Sequence, residues 1–436
     1  MKKKYIAAVL ALVFIVAGII IIPKVMEELA GSKETVTEYE IYQVKDDEVA
    51  LLYNYSLQKA KGIYKNGVIY VPLNWIRAIL NDKFYYSDNE KLLIYTLPTE
   101  IVYANFDTVD NNSNPLLLED GGKAYISMET VRAYTDIWTG EYTEGKIKKI
   151  YINDVYGKYE EAKLKSESIL RIGDSKWTAS IADITLGKDD KVTIIEKNND
   201  WYRVATEGGL TGYIKKSFLK NIKTMERKSD FNKPVYTSVH MNEKVVLGWH
   251  QVTAESANKG LDKVVENTKG LNVISPTWFK LSDNNGNYTS IAQKSYVDSA
   301  HAKGLKVWPL IDNFSDEVKS SKMLASTENR KKLIKSLIDD AKKYGFDGIN
   351  LDFESLPQEA TPYFLQFVRE LSVSCRNNGL VLSVDVAIPA SYNMHYERGK
   401  IAEVADYVIN MGYDEHYSGS DEGSSASIDF VKNSIT

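Results

Sequence analysis

The chain has 436 residues, more than one hydrophobic core usually organises, so its length predicts about three domains. Hydrophobic residues make up 44% of the sequence and charged residues 26%, which is typical of a folded protein and argues against long disordered segments. The net charge of -5 argues against a nucleic-acid partner, because the chain has no basic stripe that could release phosphate counterions.

The first 23 residues have the pattern of a membrane-directed segment. Three lysines at positions 2–4 precede a continuous apolar run, Ile6–Ile22, which ends at Pro23. The run lies at the short end of what spans a hydrocarbon core of ~30 Å, and its basic flank is expected on the cytoplasmic side. We expect an uncleaved single-pass anchor at 1–23 with all later domains extracytoplasmic. The alternative is a signal peptide cleaved near Ala30, which would leave the protein secreted.

An internal repeat covers residues 36–155. The segment Gly67–Leu73 is echoed by Gly122–Met128, at a shift of 55 positions (122 minus 67). Each copy has the pattern of a strand, a short helix and a further strand pair, which predicts a small α+β repeat domain. The region resembles the copper amine oxidase N-terminal-like domain, which implies a wall-binding or spacing role. No histidine occurs between residues 34 and 155, so copper is not implied.

Residues 160–222 have short strand patterns separated by turns. The turn Asn198-Asn199-Asp200 precedes the strand pattern Trp201–Val204, and a second strand pattern follows at Gly212–Ile214. These strands resemble the paired strands of a bacterial SH3 domain, which implies a small SH3-like β-barrel. Such modules often bind cell-wall peptides, and a structural spacer is the alternative.

From about residue 240 the pattern alternates between strand and helix. Strands are predicted at 245–249, 272–278, 306–311, 348–353, 380–387 and 407–411. Apolar strands that alternate with amphipathic helices indicate a parallel sheet covered by helices, and a (β/α)8 TIM barrel is the expected α/β architecture of 240–436. Because six strands precede Thr436, we expect a barrel truncated after strand six.

Two helices of this region have recognisable ends. The first is predicted at 328–344, with Ser326 or Thr327 as its N-cap and Gly345 as its terminator. The second is predicted at 362–378, capped by Thr361 and closed by a glycine. The single cysteine, Cys375, lies at helical spacing in this second helix, so a buried thiol is favoured over a nucleophile.

The sharpest feature is the strand pattern that ends at Glu354. Successive side chains of a strand alternate between its faces, so Asn350, Asp352 and Glu354 share one face. Polar groups at the C-terminal end of a barrel strand lie where such barrels place catalytic residues. Neighbouring carboxyl groups raise the pKa of one member, so Glu354 is the expected proton donor and Asp352 is expected to stay ionised. A buried hydrogen-bond network without catalytic function is the alternative.

The segment Asp347–Glu354 resembles the DGxDxDxE signature of glycoside hydrolase family 18, the chitinase-like enzymes. Met411–Asp414 matches the MxYD motif of that family after strand six. Gly248–Gln251 resembles strand one in the branch that includes spore-cortex and peptidoglycan N-acetylglucosaminidases. Two motifs in the correct order make the resemblance specific over about 190 residues, as counted from strand one onward.

The resemblance implies roles for individual residues. Glu354 resembles the general acid/base. Asp352 resembles the residue that positions the 2-acetamido group of the substrate, whose carbonyl attacks the anomeric carbon in a substrate-assisted route. Tyr413 resembles the residue that hydrogen-bonds the acetamido oxygen, and Asp414 and Met411 are expected to line the same subsite.

Three further residues are candidates for substrate binding. Asn350 stands where the signature usually has Asp, so the coupling of protonation along the strand is expected to differ from that of the family. Trp249 and Trp278 lie at the ends of strands one and two, where each could stack on a sugar ring or pack in the core. The five scattered histidines lack the spacing of metal ligands, so neither a metal nor a cofactor is expected.

The sequence therefore predicts a retaining hydrolase that acts on N-acetylglucosamine-containing glycans. Peptidoglycan is favoured over chitin, because wall-directed modules and a membrane anchor precede the barrel. The alternative is a non-catalytic cell-wall glycan-binding protein on the same fold. Under a third hypothesis the barrel is a scaffold and the duplicated module is the working part.

Overall fold

The computed structural model describes residues 31–435. These residues form two compact units, one of residues 31–82 and 106–233 and the other of residues 83–105 and 234–435. The predicted anchor at 1–23 lies outside the described residues. Among the residues described, no helix is both long enough and apolar enough to cross a membrane.

The chain up to residue 233 is built mostly of strands. They are β1 Thr35–Val36, β2 Glu48–Tyr53, β3 Ser56–Lys65, β4 Val68–Pro72, β5 Tyr85–Ser87, β6 Leu92–Thr96, β7 Ile101–Ala104, β8 Leu117–Asp120, β9 Lys123–Ser127, β10 Trp138–Tyr142, β11 Lys148–Asn153, β12 Gly157–Leu164, β13 Ser168–Arg171, β14 Ser180–Leu186, β15 Lys191–Asn198, β16 Trp201–Thr206, β17 Thr211–Lys215 and β18 Leu219–Arg227. The helices are α1 Glu38–Tyr42, α2 Leu73–Ile79 and α3 Met128–Tyr134.

The two repeat copies pair with each other through equivalent strands. In the sheet β10-β11-β2-β3-β4-β9-β8, the antiparallel pair β4 and β9 places Val71 opposite Ile126. These two residues are related by the 55-position shift of the repeat, so the pairing is symmetric about this contact. Both side chains are buried, so the seam between the two copies belongs to the hydrophobic core.

The SH3-like strands form the second sheet of the same unit, in the order β1-β14-β13-β17-β16-β15-β12-β18. Tyr42, Leu52 and Tyr151 from the repeat region belong to one buried cluster with Leu170 and Val204 from the SH3-like region. The two predicted domains, 36–155 and 160–222, therefore share a hydrophobic core, because each small sheet alone has little apolar surface to bury.

The remainder of the chain carries an α/β sheet. Its strands are β19 Leu247–His250, β20 Val273–Leu281, β21 Tyr288–Ser290, β22 Lys306–Val307, β23 Leu310–Asp312, β24 Gly348–Asp352, β25 Val381–Ala387 and β26 Tyr407–Met411, and its helices are α4 Leu261–Val265, α5 Lys294–Ala302, α6 Ser320–Ala325, α7 Thr327–Tyr344, α8 Thr361–Asn377, α9 Arg398–Ala402 and α10 Ile428–Asn433. The order β19-β20-β23-β24-β25-β26 is parallel throughout, with successive strands adjacent. The predicted parallel sheet is therefore confirmed.

Two local predictions need correction. The strand predicted at 306–311 is split into β22 and β23, because Pro309 between them has no N–H to donate to the ladder. Thr361 is the first residue of α8 rather than its cap, because the 3-10 turn Gln358–Ala360 runs directly into the helix. The predicted cap of α7 is confirmed, since the Ser326 hydroxyl accepts a hydrogen bond from the N–H of Asn329 at 3.3 Å.

Residues 83–105 differ most from the predicted domain division. Their strands β5, β6 and β7 form a separate antiparallel sheet within the α/β unit. The carbonyls of Pro98 and Thr99 accept hydrogen bonds from Arg376 and Asn377 on α8, at 2.7 and 2.8 Å. Glu90 accepts the N–H of Thr327 at 2.9 Å, at the start of α7. The end of the first repeat copy is thus built into the α/β unit by polar contacts that its own sequence does not reveal.

Candidate active site

Strand β24 separates its apolar and polar side chains by alternation, as the sequence predicts. Ile349 and Leu351 belong to the hydrophobic core beneath the helices, where Cys375 of α8 is also buried. Asn350 and Asp352 lie on the opposite face, with 0% and 7% of their surfaces exposed. In α/β proteins, functional sites usually lie at the C-terminal ends of the parallel strands. The polar side chains of β24 lie toward that end.

Glu354 lies just beyond the end of β24 and is half-buried. Its backbone is clamped by Asn313, whose side chain accepts from the Glu354 N–H and donates to the Glu354 carbonyl, both at 2.9 Å. Ser355 follows with a φ of 51°, so the chain turns sharply after the carboxylate. The clamp and the turn together fix Glu354 at the edge of the sheet.

Asn350 is the centre of a polar cluster that we call the amide hub: Asn350, Trp249, Ser275 and Ser383. The amide oxygen accepts from the Trp249 indole at 2.9 Å and from the Ser275 hydroxyl at 3.1 Å. The amide nitrogen donates to the Ser383 hydroxyl at 3.1 Å and to Oδ1 of Asp385 at 2.8 Å. All four hydrogen-bonding positions of the amide are used, and they tie together β19, β20, β24 and β25.

Asp385 is a site residue that the sequence reasoning missed. It lies on β25 two residues after Ser383, so both face the same side as Asn350. Its side chain is 2% exposed, and burial raises its pKa to about 7 against the lowering effect of the Asn350 hydrogen bond. The signal that could have found it is a second polar position at strand spacing inside an otherwise apolar strand.

The carboxyl groups of the site hold protons more tightly than usual. Burial, together with the negative charges of Asp385, Glu354 and Asp312, raises the pKa of Asp352 to about 8. Burial and the charge of Asp414 also raise the pKa of Glu354. The raised pKa of Asp352 runs against the prediction that Asp352 stays ionised, because Asp352 is more deeply buried than Glu354 and has more carboxylate neighbours.

The motif after β26 adds an aromatic wall. Met411 ends the strand and is buried, whereas Tyr413 is 41% exposed. The rings of Tyr413 and Trp249 meet edge to face, with centroids 6.2 Å apart. Burial and the surrounding carboxylates raise the pKa of Tyr413 to about 12, so its phenol remains a hydrogen-bond donor at neutral pH. Asp414 follows in a left-handed turn with a φ of 62°.

The structure separates the two tryptophans. Trp249 is 38% exposed beside Tyr413, whereas Trp278 is 2% exposed. The Trp278 indole donates to Asn258 at 2.7 Å and its ring packs edge to face on Tyr296 of α5. Ser275 faces inward on the same strand, so Trp278, three positions later, points outward to the helices. Stacking of Trp278 on a sugar is therefore excluded.

A cleft of about 350 Å³ opens beside the acid. Glu354 and Asp385 line it together with Met411 and residues of the loop after β25, including Tyr392 and His395. Within residues 31–435, no group of His, Cys, Asp or Glu side chains has the arrangement of a metal site. Of the residues that line the cleft, Glu354 and Asp385 carry carboxyl groups.

Two family profiles match parts of the chain from residue 184 onward. The profile of glycosyl hydrolases family 18 matches residues 212–433, and that of the bacterial SH3 domain matches residues 184–220. The chain is 27% identical over 177 residues to the glycosylase YvbX of Bacillus subtilis, which covers 38% of this chain and 51% of that protein. It is 30% identical over 136 residues to the cortical fragment-lytic enzyme of the same species, covering 29% of this chain and 31% of that enzyme.

Solved structures are also similar to part of this chain. The spore cortex-lytic enzyme SleL of Bacillus cereus aligns with a TM-score of 0.39 and 18% identity, over 49% of each chain. A chitinase of Chromobacterium violaceum aligns with a TM-score of 0.38 and 20% identity, over 44% of this chain and 62% of the chitinase. The chain spans about half the length of YvbX and less of the lytic enzyme. Because the family profile covers just over half of the sequence, the chain belongs to the glycosyl hydrolases family 18.

Proposed function

We propose that the chain hydrolyses N-acetylglucosamine-containing glycans with retention of configuration, and that peptidoglycan is preferred over chitin. The observation that carries the proposal is the carboxyl pair of Asp352 and Glu354 at the C-terminal end of β24, where both pKa values are raised. A carboxyl group that holds its proton near neutral pH can protonate a glycosidic oxygen. Tyr413 and Trp249 provide an aromatic surface of the kind that suits a sugar ring.

The residues divide the reaction between them. Glu354, at the rim of the cleft, donates its proton to the leaving glycosidic oxygen. The substrate's own acetamido carbonyl attacks the anomeric carbon, which is the substrate-assisted exception to the two-carboxylate scheme. Asp352 accepts the acetamido N–H through Oδ1, a buried atom without a hydrogen-bond partner among residues 31–435. The Tyr413 phenol donates to the acetamido oxygen. Glu354 then takes a proton from the water that opens the intermediate.

We further propose that the six parallel strands are the first six strands of a (β/α)8 barrel. Their sequential order and the helices between them support this architecture. The polar residues of β24, β25 and the segment after β26 all lie at the C-terminal ends of their strands, where barrel enzymes carry their sites.

Peptidoglycan is favoured as the substrate because of the modules that accompany the α/β sheet. The SH3-like region carries an open groove of about 690 Å³, lined by Trp177, Trp201 and Phe218 among charged side chains. A groove with aromatic and charged walls suits a wall peptide, and one relative is named a cortical fragment-lytic enzyme. The apolar segment at 1–23 would hold the protein at the outer face of the cell membrane, next to this polymer.

The proposal is tested by Glu354→Gln in the full chain, with purified sacculi as substrate. Loss of the general acid is expected to lower the release of reducing sugar by about 100-fold or more, with retained binding to sacculi. Glu359→Gln is the matched control, because Glu359 is exposed in the following 3-10 turn. Equal turnover by Glu354→Gln and the control would refute the assignment of Glu354. If the wild-type protein binds sacculi but does not hydrolyse them, the chain is a glycan-binding protein instead.

A further inference from the structure

Three carboxyl groups form a row across neighbouring strands, and we call Asp312, Asp352 and Asp385 the carboxyl row. Asp312 on β23 pairs in register with Asp352 on β24. Leu351 pairs with Val384 on β25, so Asp352 and Asp385 occupy the next position of the same parallel register. Side chains at one register position point to the same face of a parallel sheet, so the three groups are neighbours.

Two members of the row, Asp352 in the middle and Asp385 at one end, have unmet hydrogen-bonding capacity. Oδ1 of Asp352 and Oδ2 of Asp385 are buried, and neither has a partner within residues 31–435. The other oxygen of Asp385 is held by the Asn350 amide, whose remaining positions are all occupied by the amide hub. Asp385 therefore has a fixed orientation and one free oxygen on a buried surface.

Two adjacent buried carboxylates cannot both be ionised without a large electrostatic cost. A single proton held between them removes one charge and supplies the missing hydrogen bond. Within residues 31–435, the titratable groups coupled to the site are Asp312, Glu354, Asp414 and the phenols of Tyr396 and Tyr413, none of which is a cation. His395 lines the same cleft, but its ring nitrogen is bonded to the Leu356 carbonyl at 2.9 Å, and Arg398 acts on Tyr396. Lys280 lies nearer to Asp312, at the outer end of the row.

We propose that Asp385 is a positioning residue for the hydrolysis, which shares a proton with Asp352 and thereby fixes the orientation and the protonation of the Asp352–Glu354 pair. The inference rests on the proposed function, but the neighbouring register positions of the two aspartates are a property of the protein alone. Asn350 serves this arrangement as the neutral group that orients Asp385.

The sign of the effect follows from the charges. The negative charge of Asp385 is the strongest carboxylate contribution that raises the pKa of Asp352, after burial. When Asp385 is replaced by Asn, this contribution is lost and the pKa of Asp352 falls. The carboxyl pair then gives up its proton at lower pH, so the alkaline limb of the pH–rate profile moves toward acid.

The test compares Asp385→Asn with Asp312→Asn, which removes the carboxylate at the other end of the row. For Asp385→Asn, the alkaline limb of kcat/KM on sacculi is expected to move down by about one pH unit, a tenfold loss on that limb, with little change at acid pH. Asp312→Asn is expected to move it less, because its charge acts on Asp352 more weakly. A uniform loss at all pH values, or an equal shift in both variants, would overturn the proposal.

A second measurement does not depend on turnover. Carboxyl ¹³C titration of the aspartates in the full chain, with the Asp352 signal assigned by its absence in Asp352→Asn, reports the pair directly. The Asp352 midpoint is expected above pH 7 in the wild type and about one unit lower in Asp385→Asn. Asp385→Ala gives the same readout if the Asn variant folds poorly. An unchanged midpoint with normal turnover refutes this inference alone, whereas absent turnover with a shifted midpoint refutes only the proposed function.

Discussion

The amide hub and the carboxyl row lie two residues apart on the same face of β24, yet they differ in how their polar atoms are used. Every hydrogen-bonding position of Asn350 has a protein partner. Asp352 and Asp385, one layer nearer the strand ends, each keep a buried oxygen without a partner in the described part of the chain. The first layer therefore holds the strands together, and the second has capacity left for a proton or a ligand.

The comparison predicts that a change in the carboxyl row affects activity far more than stability. Asp352→Asn is expected to lower turnover of sacculi by about 100-fold, because an amide cannot hold the acetamido group in the same orientation. Its melting temperature at pH 8 is expected to match or exceed that of the wild type. Because the pKa of Asp352 is raised in the folded protein, this group lowers the stability of the wild type as the pH rises from about 4 to about 8.

The control for this variant is Asp298→Asn, an exposed aspartate on α5 that pairs with Lys294. It is expected to leave both turnover and melting unchanged. A loss of activity in Asp352→Asn that is accompanied by an equally clear loss of stability would show that the carboxyl row serves the fold, and the contrast between the two layers would fail.

The amide hub is expected to show the opposite behaviour. Asn350→Leu keeps a similar side-chain volume but leaves the Trp249 indole and Ser275 without their acceptor, so the free energy of unfolding should fall by about 2–4 kcal/mol. Ser383→Ala removes one of the four bonds and is expected to cost about 1 kcal/mol. Urea denaturation followed by fluorescence measures both, and an Asn350→Leu variant as stable as the wild type would contradict the assignment of this layer to the fold.

The smallest expected effect on the pH–rate profile comes from placing a carboxyl group in the amide hub. Asn350→Asp adds a carboxyl group beside Asp352 and keeps the acceptor for Trp249, but it removes the amide donor to Ser383 and Asp385. The added charge raises the pKa of Asp352, so the alkaline limb of the pH–rate profile is expected to move up by less than one unit, opposite to the shift expected for Asp385→Asn. A shift toward acid would contradict the electrostatic coupling between the layers.

Much of the site was predictable from the local pattern of β24. Alternation places Asn350 and Asp352 on one face and buries Ile349 on the other, because the side-chain period of a strand is two wherever it pairs. Position relative to the strand end likewise predicts Glu354 at the rim. The charge of Asp352 was harder to predict, because its pKa depends on burial and on carboxylates from two other strands.

Trp278 and residues 83–105 show where local patterns are insufficient. A tryptophan near a strand end can face either the sheet interior or the helices, and only the register of β20 decides that Trp278 packs on α5. The repeat pattern extends through residues 83–105, but their strands form a sheet of the α/β unit, because contacts from α7 and α8 offer them partners there.

The sequence by itself determined the order of the strands and helices, the apolar and polar faces of β24, and the resemblance of its two motif-bearing segments to one family of glycoside hydrolases. These properties depend on neighbours along the chain, which fix periodicity, caps and turns. Only the tertiary structure decided that Asp385 stands beside Asp352 and that Asn350 is fully bonded. Those contacts join residues more than thirty positions apart, and strand register, rather than any local pattern, brings them together.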